Sequence, residues 1–151
     1  MSVLMFVDPP LYVPVVLRGP RDDAAEQFEA AMRHYRDGNY AEALAGLRVA
    51  DEMRPDAPKT RFFIAVCLLL TGQNTEAAAA FEQTIALGES AYVEESHFYL
   101  AKALVRLGRL PAARRELQRT IARHGGLEQE ARELSSQLDV YISGKDRSPD
   151  D

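Results

Sequence analysis

Three observations predict an all-α array of helical hairpins: a self-similarity recurring about every 34 residues, a glycine at the same phase of each unit, and apolar residues recurring in register around it. Residues 24–57, 58–91 and 94–127 form three units, the last set back by the two extra residues Tyr92 and Val93. Gly38, Gly72 and Gly108 mark the phase. Ala31, Ala65 and Ala101 recur before the glycine and Ala43, Ala77 and Ala113 after it. Leu47, Phe81 and Leu117 follow one turn on, then Ala50, Thr84 and Thr120.

Each unit reads as two antiparallel helices of roughly 14 residues joined by a tight turn. The phase glycine sits just past the first helix, where a left-handed residue ends a helix cheaply. The recurring alanines fall where the two helices approach most closely. Leu47, Phe81 and Leu117 fill the space between neighbouring units, so no unit buries its apolar face alone. After Gly125 and Gly126, Leu127, Ala131, Leu134, Leu138 and Tyr141 recur at spacings of three and four, which predicts one amphipathic capping helix over 127–142. The expected domain is therefore 22–142, with seven helices.

The ends are different. Val3 to Leu17 is apolar but interrupted by Asp8, Pro9, Pro10 and Pro14, too short and too broken to span a bilayer. It also lacks a basic leader and a small-residue cleavage site. Its β-branched, proline-rich character predicts an extended strap over residues 1–21, lying on something apolar. Residues 143–151 read as a flexible polar tail. Without a signal peptide or membrane helix the expected compartment is the cytoplasm, or the periplasm if the chain is a fragment of a membrane protein.

With 151 residues, 46% hydrophobic and 27% charged, the chain has the size and composition of one ordinary domain. The single Cys67 excludes an internal disulfide framework and a cysteine-based zinc knuckle, and only His34, His97 and His124 remain for a metal. No metal, cofactor or catalytic site is expected: HExxH, Walker A, GxSxG and dinucleotide patterns are all missing. Cys67 reads as a buried inert thiol, His34 as an inward-leaning packing residue, and Glu94 and Glu95 beside His97 as helix-start carboxylates.

The repeat pattern resembles the tetratricopeptide repeat family over about two thirds of the chain, which implies a right-handed superhelix used as a protein–protein interaction module. Gln27, Arg61 and His97 replace the aromatic or leucine often found early in the first helix, and the closing proline survives only as Pro55, with Glu89 and Gly125 at the other two positions. The lysines and asparagines of the carboxylate-clamp version are replaced by Phe28, Phe62 and Phe98 and by Met32, Val66 and Lys102, so its C-terminal acidic peptide is not carried over. A narrower stretch of likeness, YVPVVLRGP, GNYAEAL, LLLTGQNTEA and ESHFYLAKALVRLG, is similar to the C-terminal repeat region of bacterial membrane-bound zinc-finger anti-sigma factors. Their zinc module and membrane helix have no counterpart in the sequence, so only the repeat domain is implied.

Two surfaces follow. Phe28, Phe62 and Phe98 share a phase and should line one concave groove with Met32, Val66, Leu69 and Val105, while the run FFIAVCLLL (62–70) asks for burial all round. The stripe reads either as ordinary core of a short array or as a groove filled by a partner's peptide or the chain's own strap, with Lys102 and Arg106 selecting a partner's acidic end. Competing with this is a structural or self-associating module whose groove the strap closes, with a homo-oligomer as one outcome. The second surface is basic: between Lys102 and Arg123 seven cations face the single acid Glu116, although the whole chain carries −5. Arg115, Arg119 and Arg123 at i, i+4, i+8 form a candidate docking face on the outer helix, set against a solvated face partly neutralised by Glu128, Glu130 and Glu133. Nucleic acid is not an expected partner, for aromatic interleaving and a recognised binding motif are lacking.

Overall fold

The computed structural model describes residues 2–16, 18–20 and 22–146; Met1, Leu17 and Arg21 of the expected strap and residues 147–151 of the expected tail lie outside the described residues. Eight helices follow in order: α1 Ser2–Met5, α2 Asp23–Arg36, α3 Tyr40–Met53, α4 Pro58–Leu70, α5 Asn74–Ala86, α6 Val93–Arg106, α7 Leu110–Ala122 and α8 Glu128–Asp146. The pairs α2/α3, α4/α5 and α6/α7 are the three hairpins, and α3 on α4, α5 on α6 and α7 on α8 join each unit to the next.

Helix ends follow the sequence signals. Asp22 caps α2 by accepting from the Ala25 amide at 3.1 Å, and its other oxygen takes Arg54 at 2.5 Å, tying the start of α2 to the end of α3. Pro58 opens α4, where its missing N–H costs nothing. The three turns inside the hairpins share one termination: Gly38, Gly72 and Gly108 have φ of +79°, +80° and +72°. Asn39, Gln73 and Arg109 then each donate an amide back to His34, Leu68 and Leu104 at 2.9 Å, a Schellman closure repeated three times.

The recurring residues form the interior. Ala43, Ala65, Ala77, Ala101 and Ala113 are fully buried, as are Leu47, Phe81 and Leu117. Thr84 and Thr120, buried beside them, satisfy their hydroxyls on the Ala80 and Glu116 carbonyls one turn back. In the first hairpin the helices meet at Gly46. A Cβ there would lie 2.8 Å from Ala31 Cβ and 3.3 Å from Ala31 Cα, and Gln27 Nε2 donates to the Gly46 carbonyl at 3.3 Å. Because a backbone atom cannot step aside, Gly46→Val is expected to destabilise the fold by about 1–3 kcal/mol despite removing a helix glycine. A urea midpoint unchanged from the parent would show that α2 and α3 are not in close register here.

Helix α4 explains the FFIAVCLLL run. Residues Phe62 to Leu69 are all buried, because α3 lies on one side, α5 and α6 on others, and the strap on the remaining face. Cys67 is fully buried, and burial pushes its thiol up to about 12.

Three expectations need correction. The strap is not extended throughout: Ser2–Met5 form one helical turn, since the first proline comes only at Pro9 and Leu4 is buried in the core. The last helix runs past 142 to Asp146, because Tyr141 and Ile142 still rest on the core and carry the chain over Gly144. His34 is exposed rather than packed inward. Its counterparts Leu68 and Leu104 are buried on α4 and α6, helices that each pack against the second helix of the hairpin before, and among the described residues α2 has no such hairpin before it.

Among the described residues no helix is long and apolar enough to cross a membrane, and no group of three or more His, Cys, Asp and Glu is placed to hold a metal ion.

Candidate functional site

The first helices of the three hairpins, α2, α4 and α6, present a common face, and the strap lies along it. Its path is fixed by four of its carbonyls. Arg106 Nε donates to Met5 O at 2.9 Å, Lys102 Nζ to Phe6 O at 2.9 Å, Tyr99 OH to Asp8 O at 3.3 Å and Tyr35 OH to Pro10 O at 2.5 Å. Tyr99, Lys102 and Arg106 sit at i, i+3 and i+7, so one stripe of α6 supplies three of the four donors. The strap then crosses to α2, where the Tyr12 hydroxyl donates to Glu29.

Three strap side chains point inward: Leu4, Val7 and Tyr12 are buried. The Tyr12 ring meets Phe28 and Phe63 edge-on, with centroids 5.7 and 5.5 Å away, and Tyr35 meets Phe63 at 5.3 Å. Lys59 Nζ stands 4.5 Å from the Phe28 ring centre, a cation–π contact at the strap's exit. The strap's outer side is apolar and open to solvent, with Leu11 87% and Val13 70% exposed.

Burial under the strap sets the electrostatics. Desolvation holds the Lys102 ammonium and the Arg106 guanidinium below their usual ranges, and it raises Tyr35 and Tyr99 far above the usual phenol range. Tyr12 is raised first by burial and then by its bond to the Glu29 carboxylate. All three tyrosines are therefore neutral donors at any physiological pH. Arg106 is also anchored from behind, with Nη1 donating to the Leu69 carbonyl at 2.8 Å, so the α4 C-terminus fixes the strap donor on α6.

The sequence-derived groove residues are distributed as follows. Phe28 touches the strap through Tyr12, and Phe98 lies beneath Lys102, whose Nζ is 5.6 Å from its ring centre. Phe62 packs on Phe63, Phe81, Tyr92 and Tyr99, between the repeats. Met32, Val66, Leu69 and Val105 are fully buried floor. Lys102 and Arg106 do face the groove, but main-chain carbonyls rather than an acidic group occupy them. Sequence reasoning missed Tyr35, Phe63 and Tyr99. Glu29, Phe63 and Tyr99 share a repeat phase one residue past the phenylalanine stripe, and that is the phase that meets the strap.

The outer basic stripe is largely paired. Arg119 bonds Glu116, Arg123 bonds Glu89 at 2.8 Å, Arg114 bonds Asp139, and Arg115 is exposed. The neutralising acids are thus Glu116, Glu89 and Asp139 rather than Glu128, Glu130 and Glu133, because Glu128 turns instead to Arg132 and His124. Glu116 is buried and also receives His97, whose Nδ1 is 2.7 Å away. Glu94 supplies a capping contact of its own, accepting from the Leu127 amide at 3.1 Å where α8 begins.

The sequence profile of the tetratricopeptide repeat matches residues 28–92 and 98–138, most of the chain. The chain belongs to the tetratricopeptide repeat family. A curated relative, the TPR repeat-containing thioredoxin TTL4 of Arabidopsis thaliana, is 32% identical over 148 residues, covering 84% of this chain but only 21% of that protein. This TPR array thus spans about a fifth of that relative's length. Among solved structures, the Yersinia enterocolitica type III secretion chaperone SycD, in complex with a peptide of the translocator YopD, superposes with a TM-score of 0.70 at 19% identity, covering 83% of this chain and 97% of that one. The first TPR of Spaghetti (RPAP3), bound to the HSP90 peptide SRMEEVD, gives 0.71 at 16% identity, covering 80% and 93%. PcrH, in complex with the chaperone-binding region of PopD, gives 0.68 at 17% identity, covering 86% and 99%. At these identities the likeness is one of TPR fold.

Proposed function

We propose that this TPR array is a protein–protein interaction adaptor that holds an extended segment of a partner protein along the face of α2, α4 and α6. The observation that carries the reading is the strap. A segment with three inward side chains and four bonded carbonyls lies on that face, which is what a bound peptide requires of it. Three arrays of similar fold and size are described as complexes with a peptide or a binding region of another protein. The basic stripe offers less, since Arg119 and Arg123 already have carboxylate partners.

Photo-crosslinking in the source cell tests this. A benzophenone side chain in place of Lys102, facing the groove, is expected to give a discrete adduct that excess synthetic strap peptide suppresses. The same group in place of Arg115, on the outer helix, should give none. Adducts from the Arg115 position alone would assign the binding role to the outer face.

A further inference from the structure

The way the strap is held says which chemistry the groove accepts, provided that the groove is the binding face, as proposed above. All four bonds from α2 and α6 to the strap run in one direction: side-chain N–H or O–H groups donate and strap carbonyls accept. Among the described residues, no amide from Val7 to Val13 donates to the repeats. Two positions in that stretch, Pro9 and Pro10, have no amide hydrogen at all. Towards the strap's main chain the face therefore acts as a donor alone. It takes any backbone whose carbonyls fall in register, and it loses nothing when the ligand is rich in proline. Proline is in fact favoured, since a chain already restricted to an open helix has less conformational freedom to lose on binding.

Side-chain selection comes from three places. Leu4, Val7 and Tyr12 are buried, while Phe6 at 63% and Leu11 at 87% exposure point away from the repeats. Relative to the first anchor these are i, i+3 and i+8, with the proline pair at i+5 and i+6. The cations that an acidic tail would need are already bonded to main-chain oxygens, so the read-out fits an internal segment and asks for no terminal carboxylate.

We propose that the strap is a resident surrogate for the groove's ligand: the partner supplies an internal, proline-containing segment read through its carbonyls, with apolar side chains at the Leu4, Val7 and Tyr12 spacing, and it binds by displacing the strap. The strap thereby sets the threshold for partner binding. Its departure route is short, through the exposed residues Val13 to Val16 towards Arg18, Gly19 and Pro20, with Gly19 at φ +94° as a pivot.

The test uses the full chain carrying a protease recognition sequence inserted between Gly19 and Pro20. The protein is folded intact and then cut, so that the strap is retained only by its contacts. The probe is a fluorescein-labelled peptide of residues 2–16, followed by anisotropy. It is expected to exchange onto the cut chain and to bind the uncut chain at least tenfold more weakly. Unlabelled competitors then separate the determinants. Peptide N-methylated at Asp8 and Leu11 should compete within about threefold of the parent, whereas Val7→Asp or Leu4→Asp should lose on the order of tenfold or more. Loss of competition on N-methylation, or full competition by Val7→Asp, would overturn the inference while leaving groove binding intact. Equal binding to uncut and cut chains would remove the displacement step. No binding to a cut chain that keeps its helical signal would end both this inference and the groove reading beneath it.

Discussion

Phe62→Ala is expected to cost about 3–5 kcal/mol, the upper range for truncating a buried aromatic. The ring is fully buried and has four aromatic neighbours: Phe63 at 5.0 Å, Tyr92 at 5.1 Å, Phe81 at 6.0 Å and Tyr99 at 6.1 Å between centroids. Those four come from α4, the α5–α6 turn, α5 and α6, so the cavity would open where the second repeat meets the third. A domain of this size has a stability of roughly 5–15 kcal/mol, and the substitution removes a large share of it. The thermal midpoint should fall by about 10 °C or more. Because repeats are stabilised chiefly by their neighbours, unfolding should also broaden as the two ends uncouple. A cost below about 1 kcal/mol with an unbroadened transition would show that α4 is not the keystone of the array.

Removing residues 2–16 is the second large perturbation, and its effect differs in kind. The helices should persist in the far-ultraviolet signal, since the hairpins close on themselves and on one another. Leu4, Val7 and Tyr12 no longer cover the face, which exposes Phe28, Phe63 and Tyr99 to water. Losing the burial of Tyr12 alone is worth about 2 kcal/mol, so the thermal midpoint is expected to drop by several degrees. Binding of an apolar dye should appear where the intact chain shows little. Unchanged stability together with no new dye binding would mean that the strap does not cover the groove.

Much of the architecture was legible because repeats write the same physical demand three times. One glycine after a helix is weak evidence, but Gly38, Gly72 and Gly108 at one phase identify three Schellman turns. The alanine and Leu/Phe positions were readable for the same reason. What the repeats could not show is anything that happens once. Gly46 has no glycine counterpart, so the closest approach in the first hairpin left no periodic trace. His34 occupies a phase that is buried in later repeats, and only its position at the start of the array leaves it in water. On α4 the ring that meets the strap is Phe63, one position past Phe62, and because both are phenylalanines on a helix buried all round, composition cannot choose between them. Tyr35 and Tyr99 were missed as donors, since a hydroxyl's bond to a main-chain carbonyl 25 or 91 residues away has no sequence signature. The Arg123–Glu89 pair, 34 residues apart, is likewise a matter of tertiary geometry, whereas Arg119 and Glu116 are an i, i+3 pair within α7 whose spacing was open to reading.

The central claim is that a partner segment binds along α2, α4 and α6. Isotope-filtered nuclear Overhauser contacts test it most directly, between the isotope-labelled cut chain and an unlabelled alanine-rich peptide that keeps only Leu, Val, the proline pair and Tyr at the strap's spacing. The peptide's leucine, valine and tyrosine protons are predicted to contact the Phe28, Tyr35, Phe63, Tyr99 and Lys102 side chains. Contacts gathered instead on Arg115, Arg119 and Arg123 would contradict the account and move the binding surface to the outer face.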